Sequence, residues 1–110
     1  MGSHGEIPGL GAHFELELFV RGGMTPYDAL RAGTICSATS IGHESELGSL
    51  EPGKLADIQI LEKSPLENIT YTRSIRYVMK GGRLYDASTL NELWPRRRAL
   101  ERQWWWKPSR

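Results

Sequence analysis

The apolar residues between positions 13 and 21 fit two kinds of element, and the flanking residues favour a helix. Leu16, Phe19 and Val20 recur at intervals of three and one and would share a helical face, although the alternation of apolar residues with glutamates before them also suits a strand. The early glutamates, the basic residue in the last turn and the two glycines after it are typical of helix ends. We therefore predict a helix over residues 13–21, preceded by a glycine-rich loop.

A second helix is predicted over residues 26–40. Thr25 can accept hydrogen bonds at the N-cap, and Pro26 suits the first helical position because its fixed φ angle is already helical. The residues that follow supply an apolar side that includes Cys36, the only cysteine in the chain. Gly33 lies inside this stretch and weakens a helix by roughly 1 kcal/mol relative to alanine.

From Gly48 onward the pattern changes to short alternating runs that are typical of strands. The Pro52-Gly53 pair favours a turn, because proline presets φ and glycine accepts a positive φ. Gly81-Gly82 predicts a two-residue hairpin turn. The resulting prediction is an α+β fold with a small antiparallel sheet. Its strands are predicted at residues 56–61, 75–80 and 83–85, and a short final helix at residues 89–93.

Length and charge exclude several classes of protein. With 110 residues, the chain is shorter than the roughly 250 residues of a complete (β/α)8 barrel. The net charge of +1 gives no support for a nucleic-acid partner, and no apolar run approaches the roughly 18 residues of a membrane span. No signal peptide follows Met1. A cytoplasmic location is therefore the default expectation.

The end of the chain has a different character. Residues 96–110 carry six basic side chains, one glutamate and three consecutive tryptophans. Tryptophans beside cations suit stacking on bases or a membrane surface. Adjacent side chains point in different directions on a helix, which argues against one ordered stacking face. We therefore favour a tail that packs on its own protein or stays unfolded.

The histidines are the side chains best suited to chemistry, but their spacing forms no compact metal site. His4, His13 and His43 lie too far apart for the His-x-His or His-x3-His patterns that hold zinc. The simplest interpretation of each is a surface or helix-capping histidine. The sequence also lacks the Gly-x-Ser-x-Gly nucleophile motif and the Gly-Lys-Ser/Thr end of a phosphate-binding loop.

Three long segments carry a family resemblance. They are GMTPYDALRA at residues 23–32, GSLEPGKLAD at residues 48–57 and YVMKGGRLYD at residues 77–86. In this order they resemble the C-terminal part of amidohydrolases, in the subfamily of imidazolonepropionase-like and dipeptidase-like enzymes, some of which are joined to TolB-type propellers. The resemblance extends over nearly the whole chain.

The resemblance implies a place for each part of the chain. Residues 1–45 would be the terminal loop and helices of a metal-bearing (β/α)8 barrel. Residues 46–86 would form part of the composite β-sandwich that flanks this barrel, and residues 87–110 would be a C-terminal helix and the basic tail. The sheet would then have unpaired edges and an exposed apolar face.

The resemblance also implies candidate site residues. In this family an aspartate after the eighth barrel strand binds the metal and transfers a proton. His4 stands where this Asp is expected, so it is the candidate catalytic residue and metal ligand, and His13 is the candidate substrate-binding residue at the mouth of the active site. The other ligands would precede Met1. Zinc or another divalent metal is thus implied for the parent enzyme, and we expect none to be bound by this chain alone.

Two functions from different classes follow. The first is the C-terminal portion of a metal-dependent amidohydrolase that acts on small molecules, at C–N bonds other than typical peptide bonds or in dipeptides. This portion is expected to be inactive alone, with the missing N-terminal part or a second copy of itself as partner. The alternative is a small non-catalytic binding or assembly module that uses the apolar sheet face and the Arg/Trp tail.

Overall fold

The computed structural model describes residue 2 and residues 7–105, and it has an α+β fold. Helices occupy the first part of this range and an antiparallel sheet occupies the rest. In chain order the elements are α1 (Gly11–Arg21), α2 (Pro26–Gly33), α3 (Ile35–Ser40), β1 (Ile58–Leu61), a 3-10 helix (Ile69–Arg73), β2 (Ile75–Lys80), β3 (Arg83–Asp86) and β4 (Glu92–Trp94).

The second predicted helix begins at the expected residue but is divided, and α1 begins at Gly11, two residues before its predicted start. At the start of α2, Thr25 Oγ1 accepts a hydrogen bond from the backbone N–H of Asp28 at 3.1 Å, as an N-cap should. The prediction of one helix over residues 26–40 is wrong, because Thr34 leaves the helical region with φ −123° and ψ −99°. Its hydroxyl donates to the carbonyl of Leu30 at 2.7 Å, which supplies a partner at the break.

The sheet has the order β1-β2-β3-β4, and every neighbouring pair is antiparallel. The predicted hairpin between β2 and β3 is confirmed, with φ angles of 54° at Gly81 and 77° at Gly82. Both glycines therefore adopt the left-handed region that the tight turn requires. β1 begins at Ile58, two residues later than predicted.

The predicted helix over residues 89–93 is wrong. Asp86 Oδ1 instead accepts hydrogen bonds from the backbone N–H groups of Ser88 and Thr89, at 2.9 and 3.0 Å. Leu90 follows with a φ of 58°, which a helix does not tolerate. The chain therefore turns back as β4 and pairs with β3, so the sheet continues beyond residue 86.

The core lies where the helices meet the 3-10 helix. Its buried members are Leu16 from α1, Ala29 from α2 and Ile69, and the partly buried side chains packed against them are Phe19, Val20 and Leu30. Within the described part of the chain, no large side chain is fully buried. Much apolar surface therefore faces solvent.

Candidate functional site

A cavity of about 580 Å³ lies between the helices and the first strand of the sheet. Its walls come from α1, the end of α2, the segment between α3 and β1, β1 itself and the 3-10 helix. Pockets that bind small molecules have volumes of about 300–1,000 Å³ and mostly apolar walls. This cavity meets both conditions, since its apolar lining includes Leu16, Leu30, Leu47, Leu50, Leu55 and Ile58.

His13 is the histidine that borders the cavity. It lies in the first turns of α1, and its Nδ1 atom is 3.0 Å from Oγ1 of Thr72. Partial burial lowers the pKa of His13, the positive charge of Arg73 lowers it further, and the carboxylate of Glu17 opposes the shift. The imidazole is therefore neutral near pH 7.

An ion pair holds α1 against the 3-10 helix beside this histidine. Arg73 donates to Glu17 Oε1 at 2.5 Å, and its guanidinium carbon lies 4.8 Å from the ring centre of Phe14. The ion pair joins positions that are 56 residues apart in sequence. These contacts fix the helix that carries His13, so the orientation of the imidazole depends on both segments.

The segment before β1 forms another wall of the cavity and comes very close to α3. Gly48 has a φ of 90°, and a Cβ atom there would lie 2.8 Å from both Cβ of Ala38 and Cα of Ile35. Only glycine fits this position without a shift of backbone, because real Cβ atoms do not approach backbone so closely. The glycine that opens GSLEPGKLAD therefore has a packing role.

Two charged residues of the same segment are also structural. The largely buried amine of Lys54 donates to the carbonyl of Glu44 at 2.5 Å and to Oγ of Ser49 at 2.6 Å. Asp57 accepts hydrogen bonds from Lys80 and, at 2.7 Å, from the backbone N–H of Gly81. These two bonds lower the pKa of the Asp57 carboxyl group. The segment thus ties the loop after α3 to the hairpin between β2 and β3.

The other candidate residues have different outcomes. His4 lies outside the described residues. His43 is exposed on the loop after α3, where its Nδ1 atom is 2.8 Å from Glu46 Oε2, and it does not line the cavity. Thr72 was not recognised from the sequence, because it reaches His13 only through tertiary packing and belongs to no motif.

The residues that the structure describes do not fit a metal centre. Across residues 2 and 7–105, no group of three His, Cys, Asp or Glu side chains could hold a metal ion. One oxygen that could in principle bind a metal has no other partner: the Oε2 atom of Glu15 is buried without a hydrogen-bond partner within that range. A catalytic zinc needs three protein ligands, so one carboxylate oxygen is insufficient.

Two further features concern the Trp-rich end of the chain and the length of the helices. Trp104 and Trp105 contact each other edge to face, with ring centres 5.4 Å apart, and both are exposed. The adjacent Trp106 lies outside the described part of the chain. None of the helices between residues 7 and 105 combines the length and apolar character that crossing a membrane requires.

Comparison with known proteins agrees with the family resemblance. The model of the amidohydrolase family matches residues 6–85. Ochratoxinase from Aspergillus niger is 40% identical over an alignment of 83 residues, and the match covers 71% of this chain and 17% of the relative. Imidazolonepropionase from Symbiobacterium thermophilum is 46% identical over an alignment of 65 residues, and the match covers 56% of this chain and 15% of the relative.

Solved structures show the same relationship in three dimensions. Molinate hydrolase superposes with a TM-score of 0.73 and 34% identity, and the match covers 80% of this chain and 19% of the molinate hydrolase chain. A Xaa-Pro dipeptidase superposes with a TM-score of 0.65 and 33% identity, and the match covers 68% of this chain and 18% of the dipeptidase chain. The chain therefore belongs to the amidohydrolase family, a family of hydrolases, and it spans less than a fifth of the length of these relatives.

Proposed function

We propose that this chain is the C-terminal structural segment of a metal-dependent amidohydrolase and that it has no turnover without the remainder of that fold. The observation that carries the proposal is the superposition on molinate hydrolase, in which most of this chain corresponds to only 19% of the relative. In this proposal the helices belong to the end of a (β/α)8 barrel, and the sheet is part of the sandwich beside it.

The side chains that are present suggest which parts of the active site this segment would supply and which the rest of the hydrolase would supply. The segment supplies the rigid contact between α1 and the 3-10 helix and one wall of the cavity that His13 borders. His13 is the proposed substrate-binding residue, and His4 is the proposed single metal ligand from this chain. The remaining ligands for zinc or another divalent metal would come from the rest of the hydrolase.

The substrate class is proposed only in general terms. The names of the matched proteins refer to ochratoxin, imidazolonepropionate, molinate, phenylurea and Xaa-Pro dipeptides. These relatives differ in substrate while their matched segments stay similar. We therefore propose a small molecule with a hydrolysable C–N bond, and a substrate choice made outside this segment.

A segment exchange tests the proposal. The segment of the Aspergillus niger ochratoxinase that matches this chain, which is 17% of that enzyme, would be replaced by the corresponding residues of this chain. We expect a folded hybrid that keeps its metal and measurable hydrolysis of its own substrate. A matched hybrid with Gly48→Ala should lose stability, since this change disturbs the contact with α3.

Two results would contradict the proposal. One is a folded hybrid that neither binds metal nor hydrolyses the substrate of its parent enzyme. The other is metal-dependent hydrolysis of an amide or ester by the isolated, pure 110-residue chain. The first result would refute the structural equivalence, and the second would refute the requirement for the rest of the fold.

A second candidate function is self-association as a non-catalytic assembly module. It is favoured by large apolar side chains in solvent, since Leu50 is 79% exposed, Ile41 66% and Trp104 91%. Light scattering across a concentration series measures it directly. A mass that rises from monomer to dimer supports this function, and a monomer at every concentration refutes it.

A further inference from the structure

The hydrogen bonds of Thr72 define which nitrogen of His13 carries the proton. A threonine hydroxyl has a single hydrogen to donate and two lone pairs that accept. Thr72 Oγ1 donates this hydrogen to the carbonyl of Ile69 at 3.0 Å. When this hydrogen is used in that way, the 3.0 Å contact between Thr72 Oγ1 and His13 Nδ1 needs the imidazole N–H as donor. Protonation of His13 on Nδ1 is thus the tautomer that makes both bonds of Thr72 at once.

The same hydrogen-bond pattern defines what His13 offers to a ligand. A neutral imidazole with its proton on Nδ1 has an unshared electron pair on Nε2, so this nitrogen accepts hydrogen bonds and donates none. The charged groups around the ring are Arg73 and Glu17, which neutralise each other in a 2.5 Å ion pair. The residue that carries this acceptor atom lines a cavity whose walls are mostly apolar.

Two other polar side chains on the cavity wall, Asp57 and Ser49, are bonded to protein groups, and Gln59 also lines this wall. The carboxylate of Asp57 accepts from Lys80 and Gly81, and Ser49 Oγ accepts from Lys54 and donates to Glu51. Neither of the two bonded side chains needs a ligand to complete its hydrogen bonds. His13 can accept a hydrogen bond from a ligand at this wall, and the amide of Gln59 is the alternative partner.

We propose that this cavity binds a small ligand with an apolar body and one N–H or O–H donor, and that Nε2 of His13 accepts the hydrogen bond from that donor. This proposal specifies how His13 would bind a substrate. It rests on the proposed function only in that the ligand is called a substrate. The binding itself can be measured on the isolated chain and requires no hydrolysis.

The tautomer is tested first by ¹⁵N NMR of the histidine side chains. We expect a protonated Nδ1 and an unprotonated Nε2 for His13 in the unaltered chain. Thr72→Val removes the hydroxyl and should shift the tautomer towards protonated Nε2. A ring that is protonated on Nε2 in the unaltered chain would overturn the inference.

The ligand chemistry is tested with indole and benzofuran, two rigid bicyclic probes of nearly equal shape. Indole has an N–H donor where benzofuran has a ring oxygen. Loss of one hydrogen bond to His13 should weaken binding about 3- to 10-fold, as measured by NMR titration. Equal affinities for the two probes, or no binding of either one, would overturn the proposal.

The control variant is His13→Asn, which keeps a donor in the position of Nδ1 but has no counterpart of Nε2. Its amide N–H can still bond Thr72, so circular dichroism should show an unchanged fold. The preference for indole over benzofuran should disappear in this variant. A preference that survives would show that another group recognises the donor and would refute the role of His13. Because none of these measurements needs turnover, their outcome is independent of the ochratoxinase hybrid.

Discussion

The close approach of Gly48 to α3 gives a prediction whose magnitude can be worked out. In Gly48→Ala, a Cβ atom would lie 2.8 Å from Cα of Ile35 and from Cβ of Ala38, so backbone must move. Overpacking of this kind costs about 1–3 kcal/mol. The φ of 90° adds a further conformational cost of about 1–2 kcal/mol for a residue with a Cβ. We therefore expect the free energy of unfolding to fall by about 2–5 kcal/mol.

Gly53→Ala is the matched control, because Gly53 has nearly the same φ, 92°, but no atom lies within 4 Å of the position that its new methyl group would occupy. It should lose only the conformational part, about 1–2 kcal/mol. The assay is urea unfolding followed by circular dichroism, with the midpoint and slope fitted for each variant. Equal losses in the two variants would refute the argument that contact with α3 selects glycine at position 48.

Three further predictions concern the cap, an ion pair and the metal. Thr25→Ala should lower the unfolding free energy by about 1 kcal/mol, because the side-chain bond to the backbone N–H of Asp28 is lost; an unchanged midpoint in urea unfolding would contradict this. The pKa of Asp57 is lowered in the folded chain, so the ionised carboxylate stabilises the fold fully above about pH 4. This stabilisation is lost as the pH falls through the lowered pKa. Asp57→Asn should therefore flatten the fall in urea midpoint between about pH 7 and about pH 3, and an unchanged profile would count against the bonds to Lys80 and Gly81. After chelation and zinc reloading, mass spectrometry of the isolated chain should find far less than one equivalent of zinc, because no metal cluster is present in residues 2 and 7–105. A full equivalent would contradict the expectation that this chain alone binds no metal.

Local sequence signals were sufficient for several elements. Thr25 caps α2, and Gly81-Gly82 forms the β2–β3 hairpin as predicted. Each signal depends on backbone preferences within about four residues, which a sequence displays directly. The family could also be identified from sequence, because ordered segments such as residues 48–57 are specific in composition and spacing.

Two local predictions failed where competing local interactions were misjudged. The helix over residues 26–40 is divided at Thr34, whose hydroxyl bonds the preceding turn. The helix over residues 89–93 is replaced by a turn around Asp86 and by β4, which pairs with β3. In both places polar side chains compete for backbone groups that a helix would use, and pairing with the sheet then decides the outcome at β4.

The candidate site separates what the sequence by itself determined from what required the tertiary structure. The sequence determined the family and marked His13 as a residue to consider. Only the tertiary structure showed that Thr72, 59 residues away, contacts its Nδ1 atom and that both residues line a cavity of about 580 Å³. The physical reason is that protonation and hydrogen bonding depend on neighbours in space, and packing brings these neighbours together without any regular spacing along the chain.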